Sequence, residues 1–75
     1  MDYQVDLQFG MHLQRLRNQN GWSQEAFAAK LQIGGYDMSR STLAKIESGM
    51  RHVYLKDLIA FQRVLNVSFD ELMEI

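Results

Sequence analysis

Arg40, Ser41, Ala44, Lys45 and Ser48 recur at intervals of one, four, five and eight residues. On a helix that spacing puts them on one face. The face holds two cations, no acid and otherwise only short side chains. A solvated helix surface usually mixes acids with bases, so an ordinary exposed face is the alternative reading. The pattern suits a helix lying in the major groove of DNA. Cations there meet phosphates and guanine edges, and small residues let the backbone approach. Arg40 can pair bidentately with guanine, Lys45 can reach a base or a phosphate, and Ser41 can hydrogen-bond either.

No other group of residues suggests chemistry. His12 and His52 lie far apart in a chain without cysteine, a poor basis for a metal site. Asp70, Glu71 and Glu74 match the positive end of a helix dipole and do not form a catalytic pair. There is no nucleophile beside a base, no phosphate-cradling glycine loop and no cofactor fingerprint, so neither an enzyme nor a cofactor is expected.

The candidate face needs a short helix to carry it, and both of its ends are marked. Ser39 can cap the start, Met38 and Leu43 can close as a hydrophobic staple, and Gly49 can end the helix in the left-handed conformation. Leu43 and Ile46 supply the opposite, inward face. The remaining chain reads as four more helices and no strand, an all-α fold. The first starts after Asp6 and runs to about Gln19, with Phe9, Leu13 and Leu16 inward and Gly10 open to close packing. Asn20-Gly21 stops it. The second is capped by Ser23, stapled by Trp22 and Phe27, and runs to about Gln32. A turn, Ile33-Gly34-Gly35-Tyr36-Asp37, leads to the marked helix. The fourth spans about Leu55–Leu65 with Leu58, Ile59, Phe61, Val64 and Leu65 inward; it has no obvious cap, and Asn66 ends it. The fifth opens with a capping box, Ser68 and Glu71, and a staple, Val67 and Leu72.

Seventy-five residues form one domain, residues 1–75, near the lower limit of unaided folding. The 47% hydrophobic content argues for a packed core. No apolar run approaches the roughly 20 residues of a membrane span, and the N-terminus lacks a signal-peptide pattern, so a cytoplasmic protein is expected. Net charge is −1, which alone argues against nucleic acid. The distribution argues for it: residues 12–56 carry seven cations against three acids, while residues 1–11 and 57–75 are acidic. Tyr3, Val5, Phe69, Met73 and Ile75 are apolar residues near the chain ends. They either finish the core or form the seam of a homodimer, which a core this small favours.

Three stretches together resemble the phage repressor and Cro type of helix-turn-helix, the XRE family. They are Gly21–Ala28, Ser39–Gly49 and Leu65–Leu72, in that order, and the likeness covers about residues 9–72. It implies a five-helix, lambda-repressor-like bundle whose second and third helices are the helix-turn-helix. It implies a sequence-specific duplex-DNA-binding transcriptional regulator, a repressor acting by occupying an operator, and a homodimer on a palindromic site. No small-molecule ligand is evident. Residue by residue, Arg40, Ser41, Ala44 and Lys45 match base-facing positions. Gln24, in the first turn of helix 2, and Arg51 and His52, in the loop after helix 3, match phosphate-facing ones; Ser39, at the start of helix 3, is also expected to meet a phosphate. Arg17 and Glu47 match a pair that bridges helices 1 and 3. Two features depart from the family: Gly34–Asp37 looks inserted, and Val53-Tyr54 stands where a proline and a serine are common. The insertion and the net charge leave room for another class of function, a protein-interaction module such as an antitoxin or antirepressor partner.

Overall fold

The computed structural model describes residues 3–75. Five helices follow in order: α1 (Tyr3–Gln19), α2 (Gln24–Ile33), α3 (Arg40–Glu47), α4 (Leu55–Leu65) and α5 (Phe69–Leu72). No strand occurs among the described residues.

Local chemistry sets most of the boundaries. Ser23 Oγ accepts from the Ala26 N–H at 3.0 Å, Ser39 Oγ from Thr42 at 3.1 Å and Ser68 Oγ from Glu71 at 3.0 Å. Each satisfies a donor that the helix start would leave open. The box at α5 is half formed, since only the Ser68 oxygen takes part. Trp22 and Phe27 close the staple over α2 with ring centroids 5.8 Å apart. Asn66, at φ 55° and ψ 46°, ends α4.

Three helices end in the same way. At α1, Gly21 takes φ +72°, its N–H bonds to Asn18 O at 2.9 Å, and the Trp22 N–H reaches Arg17 O at 3.3 Å. At α2, Gly35 takes φ +92°, its N–H bonds to Gln32 O at 3.0 Å, and the Tyr36 N–H reaches Leu31 O at 2.9 Å. At α3, Gly49 takes φ +75°, its N–H bonds to Ile46 O, and the Met50 N–H reaches Lys45 O at 2.8 Å. This is the Schellman closure, which needs a residue at ease in the left-handed region. The apparent insertion is thus partly the closing turn of α2.

α1 begins earlier than its sequence predicts, at Tyr3 and not after Asp6. The cause is tertiary. Leu7 lies against Gly49, where an added Cβ would come within 2.9 Å of the Leu7 Cα. Asp6 is buried with its Oδ2 2.9 Å from His52 Nδ1. The first turn of α1 is therefore held by the end of α3 and the loop beyond it.

Phe9, Phe27 and Phe61 meet at the centre of the core, with Phe61 5.8 Å from Phe27 and 6.2 Å from Phe9. Leu13, Leu16, Leu31, Met38, Leu43, Ile46, Leu65 and Leu72 are buried around them. On α4 the buried apolar residues are Ala60, Phe61 and Leu65, whereas Leu58, Ile59 and Val64 are only half-buried. No described helix is long and apolar enough to cross a membrane.

Candidate nucleic-acid interface

α3 has two distinct faces. Leu43, Ile46 and Glu47 are buried; Arg40, Ser41 and Lys45 are exposed and Ala44 is half-buried. Among the described residues no carboxylate pairs with Arg40 or Lys45, the ion pairs being Arg17–Glu47, Arg51–Asp57 and His52–Asp6. The outward face therefore presents two unneutralised cations with short side chains between them.

Three attachments fix α3 on its inner side. Gly10 of α1 abuts its last turn so closely that a Cβ there would lie 2.3 Å from Ile46 O. Arg17 reaches across from α1 to Glu47, from Nε to Oε2 at 2.8 Å and from Nη2 to Oε1 at 3.0 Å. Both side chains are buried, and this planar fork-to-fork geometry is a strong, directional form of ion pair. Arg17 Nη1 also donates to Trp22 O at 2.8 Å, which ties the turn before α2 to the same guanidinium. Gln24, first residue of α2, donates from Nε2 to Glu47 Oε1 at 3.1 Å. One buried carboxylate on α3 thus holds α1 and α2 together, and the relative setting of α2 and α3 follows from it.

The sequence-predicted phosphate residues fall into two groups. Ser39 and Gln24 stand at the starts of α3 and α2, where backbone N–H groups point outward. Ser39 caps α3, and Gln24 is engaged with Glu47 through one of its two amide hydrogens. Arg51 and His52 lie together beyond α3, but each has a protein partner. Arg51 Nη1 donates to Asp57 Oδ2 at 2.9 Å and to His52 O at 3.2 Å, and the guanidinium lies 5.3 Å from the Tyr54 ring centre. His52 contacts Asp6 while 70% of its side chain stays exposed.

Asp57 is the organising residue that sequence reasoning passed over. It is fully buried, with no side-chain exposure. Its carboxylate accepts from the Tyr36 hydroxyl, from Arg51 and, at 2.9 Å, from the Tyr54 N–H. The last of these ties down the start of α4 from the third helical position, since the Tyr54 hydroxyl lies at the far end of its ring and makes no cap. An acid three residues after an uncapped helix start was the available signal. Nothing local pointed to Tyr36. Burial alone would raise the Asp57 pKa, but the Tyr36 hydroxyl, the Tyr54 N–H and Arg51 outweigh it and hold it below the usual value. Burial and the neighbouring carboxylate push Tyr36 up to about 12.

The histidines are occupied within the fold. His12 Nε2 donates to Glu71 O at 2.7 Å, and its other ring nitrogen faces Arg15. Among the described residues no three metal-ligating side chains gather.

Two helices joined by a turn, the second set on the surface with an acid-free outer face, define a helix-turn-helix protein that binds DNA. A family model described as helix-turn-helix matches residues 13–72, and the chain belongs to this family, of the XRE or phage repressor and Cro type. The protein is a DNA-binding transcription regulator. Its structure is similar to the crystal structure of the restriction-modification controller protein C.AhdI from Aeromonas hydrophila. The two share 30% sequence identity over 93% of this chain and 94% of that one, with a TM-score of 0.82. The comparison with curated proteins gave no match.

Proposed function

We propose that this regulator is a sequence-specific repressor that sets α3 in the major groove. The observation that carries the reading is the outer face of α3: Arg40, Ser41, Ala44 and Lys45, exposed or half-buried, with no carboxylate neutralising the two cations among the described residues. Arg40 and Ser41, in the first turn of α3, meet base edges. Ala44 allows close approach, and Lys45 reaches a base or the adjacent phosphate. Ser39 and Gln24 meet phosphates beside the starts of α3 and α2, where unpaired N–H groups add their partial positive charge. The second amide hydrogen of Gln24 is the one that turns to the duplex. Arg51 and His52 meet the backbone beyond the far end of α3.

A homodimer completes the reading. Phe69 and Ile75 are each 47% exposed, Met73 37% and Tyr3 60%, while Val5 is half-buried, so four of the five end residues leave apolar surface for a second copy to cover. Covered by a second copy, they would place two α3 helices about 34 Å apart, one turn of DNA. Repression then follows from occupying a cytoplasmic operator, with no ligand or catalytic step required.

Selection from a pool of random duplexes at near-physiological salt tests the whole reading. A palindrome with half-sites one turn apart is the expected result. A single short motif would remove the symmetric dimer and keep specific binding. No enrichment by the folded protein would overturn the DNA reading in favour of a protein-interaction module.

A further inference from the structure

Both connections of α3 end on one carboxylate. The segment entering α3 is tied to Asp57 through the Tyr36 hydroxyl, and the segment leaving it through Arg51 Nη1 and the Tyr54 N–H. Asp57 itself belongs to α4, which contributes nothing to the outer face of α3. We infer that Tyr36 and Asp57 are positioning residues for DNA binding, acting through Arg51, which they hold ready for a backbone phosphate. The inference rests on Arg51 being a phosphate contact in the proposed function.

The geometry supports this in three ways. First, Arg51 is anchored by one edge of its guanidinium only. Nη1 serves Asp57 and His52 O, which leaves Nη2 and Nε to donate elsewhere. The Arg51 side chain keeps 30% of its surface exposed and is not sealed into the fold. Second, the Tyr54 ring lies against the same guanidinium and limits its swing. A long side chain ordered before binding gives up less freedom on meeting its phosphate. Third, Asp57 can hold Arg51 only while its own position is fixed, and Tyr36 supplies that constraint from the opposite side. The hydroxyl also takes part of the carboxylate's charge, which leaves Arg51 more of its positive field for the phosphate. The extra residues between α2 and α3 act here as a brace.

The test is a double-mutant cycle on binding to a duplex of arbitrary sequence, measured at several salt concentrations, with thermal melting recorded for every variant. Tyr36→Phe keeps the ring and removes only the hydroxyl. It should weaken binding by about two- to tenfold, the equivalent of ordering one long side chain. In an Arg51→Ala background the same change should have almost no effect. Arg51→Ala should lower the slope of log affinity against log salt by about 0.9, the loss of one phosphate contact, and Tyr36→Phe should move the slope part of the way. An equal loss in both backgrounds, or no loss with melting unchanged, would overturn the positioning role. Duplex binding by the unaltered chain that is indifferent to Arg51→Ala would overturn the role of Arg51 alone and leave the reading of α3 standing. Failure of the unaltered chain to bind any duplex would overturn both.

Discussion

Arg17 on α1 and Glu47 on α3 face each other through two parallel hydrogen bonds, at 2.8 and 3.0 Å, with both side chains buried. The pair joins the first helix of the bundle to the helix that faces DNA. Glu47 also holds Gln24, so removing one member disturbs all three helices. Arg17→Ala leaves a buried carboxylate with only an amide for company, a loss of about 3–5 kcal/mol by the usual cost of breaking a buried pair. Thermal melting should fall steeply and duplex affinity with it. Unchanged melting would show that the pair carries no stability.

Arg40→Ala tests the base-facing role. A bidentate arginine–guanine pair discriminates by about 1–3 kcal/mol, so the variant should lose affinity for its selected site and keep its affinity for random duplex. Lys45→Ala, if its partner is a phosphate, should weaken both and flatten the salt dependence. Binding curves on the two duplexes separate these outcomes.

Gly10→Ala sets two effects of opposite sign against each other. Helix propensity favours alanine by about 1 kcal/mol. The contact with α3 opposes it, because the new methyl group would lie 2.3 Å from Ile46 O and 2.6 Å from Glu47 O, both backbone atoms that cannot rotate aside. Overpacking of this kind costs about 1–3 kcal/mol, and here α3 itself must shift to relieve it. A net loss of stability is expected in denaturant titration, with weakened specific binding. A gain would mean that the two helices separate easily.

The Tyr36–Asp57 pair predicts a pH dependence at both extremes. The folded Tyr36 pKa, about 12, lies above the ordinary value of 10.0. Its contribution to stability is complete below about pH 10 and is lost as pH rises to about 12. Asp57 is shifted the other way, below 3.8. Its contribution is complete above that value and is lost as pH falls through the folded pKa. Denaturant midpoints followed from neutral to alkaline pH should decline less in Tyr36→Phe than in the unaltered chain. Parallel declines would remove Tyr36 from the account.

How far the sequence reached depended on the distance between partners along the chain. Ser23, Ser39 and Ser68 act within three residues and the closures at Gly49 and Asn66 within five, and all were legible because the physics is local. The inner and outer faces of α3 were legible from spacing alone. The pairing of Arg17 with Glu47, thirty positions apart, was suggested by the family resemblance and by no spacing rule. Asp57 went unread because Tyr36 lies 21 positions away and the loop path between Arg51 and Tyr54 had no local signature. The early start of α1 had the same origin: Leu7 meets Gly49 and Asp6 meets His52 only after the bundle closes.

The contact at Gly10 leaves α1 and α3 backbone against backbone, with no side chain between them to yield. A reading head mounted this way has little freedom to tilt toward an imperfect groove. The adjustment then falls to the duplex. Two sites offering the same bases to Arg40 and Lys45 should differ in affinity according to how readily their helices bend, with pliant pyrimidine–purine steps preferred over stiff A-tracts.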